Sequence, residues 1–202
     1  LSFRYLIDQK SSFKMGYAKM GQFLHLLTNS GIGLPTDLWV PATEKIKPQF
    51  SEQIAAGYAR TFSDKFEVSI EGYYKTMDNL IEYKDGASFF DNETDWQDKV
   101  HVGRGWSYGG ELLIEKKIGK TTGWVGYTLS WTNRQFDSIN FGETYPYRYD
   151  RRHDIGIALT HEINNKINIG VVWVYGTGNA VTLGLESYSS FNSSLVDNIS
   201  NF

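Results

Sequence analysis

Apolar and polar residues alternate with a period of two along much of this chain, which is the spacing of a β-strand with two different faces. The clearest stretch runs from residue 66 to residue 75. One side of it carries Phe66, Val68, Ile70 and Tyr74, and the other carries Glu67, Ser69, Glu71 and Lys75. The pattern predicts strands that separate an apolar environment from a polar one.

The same alternation recurs at intervals along the chain. It is strong in 106–114, 124–133, 153–162 and 167–175, and weaker in 1–7, 12–20 and 50–60. Together these stretches predict about eight strands.

The connections between the predicted strands alternate in length. Short links with turn residues lie near 8–11, 61–65, 118–120 and 163–166, and long links lie near 21–49, 85–100 and 137–147. A barrel that spans an outer membrane has short periplasmic turns and long extracellular loops. The fold class predicted is therefore all-β, an antiparallel transmembrane β-barrel segment of about eight strands. A soluble β-sandwich, which also alternates, stays open as a competing fold.

Both ends of the chain fall on the long-loop side of this arrangement. We therefore expect residues 1–177 to be part of a larger barrel domain and residues 178–202 to be an outer loop or a truncated tail. The first ten residues lack the basic start and apolar centre of a secretory signal. On this interpretation, further strands belong to the parent protein.

Composition narrows the class of partner. The chain is 15% aromatic with 13 Tyr and 6 Trp, residues that concentrate where lipid meets water. A net charge of −3 argues against a nucleic-acid partner, and the chain contains no Cys that could form a disulfide or a thiolate site. No stretch is apolar over the roughly 20 residues that a spanning helix needs.

Catalytic chemistry is not indicated. The four histidines are scattered, and neither HExxH nor GxSxG occurs, so the chain is not predicted to be an enzyme or to hold a cofactor. The acidic stretch 90–98 could offer oxygen ligands to calcium, but it lacks the spacing of an EF-hand. A solvated acidic loop is favoured there, and no metal site is predicted.

Two sets of residues are candidates for binding. The first is aromatic and lies in the long loops, where the rings could stack on a ligand or simply pack: Trp39, Phe89, Phe90 and Trp96. The second is charged and is predicted to line the lumen or the outer rim: Glu71, Lys75, Arg104, Glu111, Arg151, Arg152 and Asp154. The mixed signs around Arg151 favour a network of ion pairs over a phosphate clamp.

Several strings in this order resemble the barrel of TonB-dependent outer-membrane receptors of Bacteroidetes-type bacteria. They are LPTDLWVP at 34–41, IKPQ at 46–49, GWSYGGELLIEKK at 105–117, GYTLSWTNRQF at 126–136, YDRRHDI at 149–155 and WVYGTG at 173–178.

The resemblance implies active import of a scarce nutrient of the siderophore, vitamin or glycan class across the bacterial outer membrane. It also implies outer-membrane lipid, an N-terminal plug domain and the periplasmic TonB protein as partners, with a surface lipoprotein as a further candidate. The competing functions are a passive porin or adhesin barrel and a soluble carbohydrate-binding β-sandwich.

Overall fold

The computed structural model describes residues 1–28, 37–84 and 95–178. Most residues in these ranges lie in strands, and the ranges contain no α-helix, so the all-β prediction is confirmed. Two single 3-10 turns, Trp96–Asp98 and Asn140–Gly142, lie between strands. The strands are β1 (Ser2–Leu6), β2 (Ser11–Gln22), β3 (Leu24–Thr28), β4 (Asp37–Pro41), β5 (Gln49–Phe62), β6 (Phe66–Tyr83), β7 (Val100–Lys116), β8 (Thr121–Gln135), β9 (Tyr145–Pro146), β10 (His153–Asn164) and β11 (Ile167–Gly176).

The main sheet is an antiparallel meander in the order β1-β2-β5-β6-β7-β8-β10-β11. These eight long strands are the ones that the alternation predicted. The sheet is open in the described part of the chain, with β1 and β11 at its two edges. The short strand β9 pairs with β8, and β3 and β4 form a separate hairpin.

The four short turns lie at one end of the sheet, which we call the turn end; the opposite end is the loop end. Asp8 and Asn164 each accept a hydrogen bond from the backbone N–H two residues later, at 2.6 and 2.9 Å. The second turn places Ser63 and Asp64 at positive φ, and Gly119 supplies positive φ in the third. Local turn chemistry thus closes the hairpins where the sequence predicted.

Several strands extend farther toward the loop end than the alternation predicted. The strand that begins at Phe66 runs to Tyr83, because a bulge between Met77 and Leu80 lets pairing with β7 continue. Asn79 occupies the bulge at φ 57° and donates a side-chain hydrogen bond to the Pro48 carbonyl at 2.8 Å. The extra residue interrupts the period of two, which hid this part of the strand from the sequence pattern.

The buried apolar core lies at the loop end and not within the main sheet. The β3–β4 hairpin, which falls within a predicted loop, packs there against the ends of β6 and β7. The cluster consists of Leu27, Val40, Ile46, Ile81 and Val100, with Leu38, Tyr83 and Trp96 packed against it. The middle of the main sheet instead carries large apolar residues that are exposed.

The turns form a staggered line across the sheet. At the first turn Ser11 is in register with Arg60, whereas the second turn closes two residues farther along, at the pair Phe62–Phe66. The strand β7 ends at Lys116, level with Phe66, but β8 begins at Thr121, two residues beyond Gly123, the partner of Lys116. Each hairpin therefore reaches farther than the one before it.

The stagger continues in the same direction to the last hairpin. Leu159 and Lys116 are both in register with Gly123, but the fourth turn closes only after Asn164. The average step is about two residues per hairpin. With about 3.4 Å per residue and about 4.8 Å between strands, the strands are inclined by roughly 35° to the normal of the turn edge.

Candidate functional site

The main sheet has one face that is apolar across all eight strands, which we call the apolar face. Residues in register lie side by side on the same face of a sheet. Ile70, in the middle of this face, is 58% exposed, so no described residue covers it. One row takes a residue from each strand: Tyr5, Phe13, Tyr58, Ile70, Leu112, Tyr127, Ile155 and Tyr175.

Aromatic rings border the apolar face toward the loop end. Tyr108 stacks between Tyr74 and Trp131, with ring centroids 6.5 and 5.2 Å apart. The Tyr127 hydroxyl hydrogen-bonds with His153 Nδ1 at 2.8 Å. This border combines ring surface with polar groups, the combination found where an apolar layer meets water.

The opposite face, which we call the polar face, carries small and polar side chains. Its close packing is visible at Gly109, where a Cβ would lie 2.6 Å from the Leu129 carbonyl and 3.0 Å from the Tyr73 hydroxyl. The row adjacent to the apolar one again takes one residue from each strand: Arg4, Lys14, Gly57, Glu71, Glu111, Thr128, Asp154 and Gly176.

Three of the charged candidates lie in that polar row. Glu71 and Glu111 are directly opposite each other on β6 and β7, and Asp154 lies two strands farther on. A shallow cavity on this face is lined by Glu71 together with Arg4 and Lys14. Like charges side by side repel each other unless they remain hydrated, so this row requires a wet surface.

The other two candidates from the same strands are placed differently. Lys75 also lies on the polar face, two rows nearer the loop end than Glu71, and is in register with Gln53 and Ser107. Arg104 lies on the side of the apolar face, beyond Trp106, and donates two hydrogen bonds to Gln135 Oε1 at 2.9 and 3.1 Å. It lies near the loop end and does not share a face with Glu71.

The predicted network of ion pairs is present at the start of β10. Arg151 pairs with Asp154 at 3.0 Å, and Arg152 pairs with Asp150 at 3.0 Å. Asp150, only 9% exposed, also accepts the backbone N–H of Thr132 at 2.6 Å. These contacts tie the segment before β10 to β8, which is a structural role.

The aromatic candidates separate by exposure. Trp39 is 60% exposed on the outer side of the β3–β4 hairpin. Trp96 packs against the buried core of the loop end. Phe89 and Phe90 lie outside the described residues. Trp39 is therefore the described candidate that is free to contact a ligand.

A cluster that the sequence did not indicate joins β6, β8 and β9. Glu82 Oε2 accepts hydrogen bonds from Arg134 at 3.2 Å and from the Tyr145 hydroxyl at 3.0 Å, and Arg134 lies 3.5 Å from the Tyr147 ring centroid. Burial and the Glu82 carboxylate raise the pKa of Tyr145 well above its ordinary value. Glu82 and Tyr145 are 63 residues apart in the chain, so no local spacing could have revealed the cluster.

A buried histidine was also missed. His25 is fully buried in the hairpin, and its Nδ1 lies 3.1 Å from Gln49 Nε2. Burial lowers the pKa of its imidazole. The alternation of β3, with His25 and Leu27 on the inner side, is the signal that could have placed it in the core.

No protein-family model, curated protein or solved structure matches this chain. Within residues 1–28, 37–84 and 95–178, no helix is long and apolar enough to cross a membrane. The same ranges contain no group of three or more His, Asp or Glu residues placed to hold a metal ion.

Proposed function

We propose that this chain is part of a transmembrane β-barrel in the bacterial outer membrane and that the barrel belongs to a TonB-dependent transporter. The observation that carries the proposal is the apolar face, which is continuous over eight strands and has the aromatic border described above. Apolar residues exposed on that scale need a matching environment, and a lipid bilayer supplies it.

The stagger of the turns supports a barrel over a flat sheet. Strands must tilt by about 35–45° to close into a barrel, and the inclination of roughly 35° falls at the edge of that range. The edge strands β1 and β11 have backbone groups that need partners, and lipid cannot supply hydrogen bonds. On our proposal, further strands of the parent protein pair with both edges.

The distribution of charge supports a water-filled interior. The row with Glu71, Glu111 and Asp154 would face the lumen, where carboxylates stay hydrated or contact a plug. The turn end would face the periplasm, and the loop end, with its packed hairpin and exposed Trp39, would face outside. Trp39 is then a candidate for contacting cargo, a scarce nutrient of the siderophore, vitamin or glycan class.

Active import is the part of the proposal that depends on the resemblance of the quoted strings. It assigns to the parent protein an N-terminal plug domain, and to the periplasm the TonB protein that drives release, with a surface lipoprotein as a possible further partner. The resemblance favours this over a passive porin.

The test uses the full parent protein, expressed in a Gram-negative host and fractionated. We expect it in the outer membrane, and we expect the detergent-extracted protein to migrate faster on a gel before boiling than after. Recovery as a folded protein without detergent would overturn the barrel. A second measurement, co-purification with the TonB C-terminal domain, separates a transporter from a porin, since a porin would not bind that domain.

A further inference from the structure

We propose that the turn end of the apolar face binds the phosphate of a glycerophospholipid headgroup through Arg60 and Lys116. The inference rests on the proposed function. Arg60 Cζ lies 5.3 Å from the centroid of the Phe62 ring, and Lys116 Nζ lies 5.5 Å from that of Phe66. Phe62 and Phe66 are a cross-strand pair, so both cations lie on the same side of one hairpin end.

The charges on the two faces are balanced differently at the turn end. Toward the polar face, Lys10 pairs with Asp64 at 2.8 Å, and Lys117 pairs with Glu67 at 2.6 Å. Arg60 and Lys116 form no ion pair with any residue in the described part of the chain, although Arg60 hydrogen-bonds with Tyr58 and interacts with the Asp8 carboxylate at longer range. Both cations therefore lack a directly paired carboxylate on the side that would face lipid.

The strand positions of the apolar face reinforce this imbalance. In the described strands, its two carboxylates are Glu52 and Asp78, and both lie toward the loop end. The turn-end half of the face thus has cations but no carboxylate on its described strands. An anionic ligand would supply the missing charge.

Three cations nearer the loop end already have protein partners. Lys19 pairs with Glu52 at 2.8 Å, Arg104 is hydrogen-bonded to Gln135, and Arg152 pairs with Asp150. Arg60 and Lys116 lie at the turn end, which in our proposal meets the phospholipid leaflet, so we assign the phosphate to a glycerophospholipid.

The chemistry suits a phosphate at the edge of a bilayer. A ring beneath each cation holds it against the apolar surface and leaves N–H groups that can reach outward. Arginine offers paired donors that match two phosphate oxygens, and lysine offers a point charge. The exposed rings of Phe62 and Phe66 would contact the upper acyl chains.

The experiment uses the full parent protein in maltoside micelles, with native mass spectrometry to measure lipid binding. The probe is dioleoylphosphatidylglycerol, and the reference is dioleoylglycerol, which has the same chains without the phosphate. We expect tighter binding of the phospholipid and a loss of about five-fold for each cation removed in Arg60→Gln and Lys116→Gln. The pair Arg60→Lys and Lys116→Arg should retain binding.

The matched control is Lys10→Gln with Lys117→Gln, which removes two turn-end cations that already have carboxylate partners; it should leave lipid binding unchanged. Equal binding of the two lipids, or an unchanged phospholipid affinity in the double Gln variant, would overturn the inference. Displacement of the lipid by millimolar inorganic phosphate would also overturn it, because the site would then be a simple anion site.

Failure of the proposed function would give a different result from failure of the lipid site. A protein that folds without detergent fails the gel test before any lipid is added. A protein that folds in detergent but binds the two lipids equally would be consistent with the proposed barrel and would overturn only the phosphate site.

Discussion

The guanidinium of Arg152 lies over the indole ring of Trp131, with Cζ 4.5 Å from the ring centroid. Trp131 belongs to the aromatic border of the apolar face, where it stacks with Tyr108. The same guanidinium donates to Asp150 Oδ2. One arginine thus connects the border of the apolar face to the ion pairs that hold the start of β10.

Asp150 is the residue of this network whose loss should matter most. Replacing Asp150 with Ala leaves the Thr132 N–H and the Arg152 guanidinium without their acceptor, and we expect a loss of about 2 kcal/mol in stability. The midpoint of urea unfolding of the parent protein in detergent measures it. Asp150→Asn keeps an acceptor for Thr132 and should lose less. Equal effects of the two substitutions would contradict this account.

The two described aromatic candidates should respond oppositely to truncation. Trp96→Ala removes packing from the loop-end core and should reduce the stability of the β3–β4 hairpin by about 2 kcal/mol. Amide exchange in β3 and β4 should become correspondingly faster. Trp39→Ala removes an exposed ring and should leave exchange unchanged. Hydrogen-exchange mass spectrometry measures both. Loss of protection in Trp39→Ala would mean that this ring is structural, which would remove it as a candidate for ligand contact.

The sequence predicted the main sheet well because its signals are local. Alternation defines each strand, and turn residues such as Asp8 and Asn164 close each hairpin with their own side chains. The register, however, depends on pairing between strands. That Glu71 and Glu111 lie side by side therefore could not be predicted from either strand alone.

The loop end was the part that sequence patterns missed. The β3–β4 hairpin has only short strands, and its pattern was masked by neighbouring loop residues. The Asn79 bulge shifted the faces of β6, so Leu80 and Ile81 are both buried although they are consecutive. Contacts between segments distant in the chain, such as that of Glu82 with Tyr145, determine the structure of this region.

Two adjacent leucines on β7 provide a direct test of which face meets lipid. Leu112 lies on the apolar face in register with Ile70, and Leu113 lies on the polar face in register with Ser69. On the proposed barrel, we expect Leu112→Arg to cost about 2–4 kcal/mol, the penalty for a charge on a lipid-facing side near the bilayer centre.

Leu113→Arg is the matched control, with the same side chains one position away. It should cost little, because arginine stays hydrated in a polar lumen. Folding into liposomes, followed by the heat-dependent gel shift and urea titration, compares the two variants. The reverse order, with Leu113→Arg the more damaging, would mean that the polar face is the one turned toward lipid.

The buried His25 should make the loop-end hairpin sensitive to mild acid. Burial lowers the pKa of its imidazole below the ordinary value of 6.5. Above that value the ring is neutral in both folded and open hairpins, so it adds no pH dependence. As the pH falls below it, the open hairpin takes up a proton that the buried ring resists, and stability is lost progressively.

Amide exchange in β3 and β4 should therefore become faster between about pH 7 and about pH 5 once the intrinsic rate is corrected. His25→Gln keeps a polar side chain beside Gln49 but cannot titrate, so its corrected exchange should be flat over the same range. Asp98 does not interfere, because its hydrogen bond with Lys45 lowers the pKa of that carboxyl and keeps it ionised there. An equal acid response in wild type and His25→Gln would assign the effect to another group and leave His25 as a packing residue.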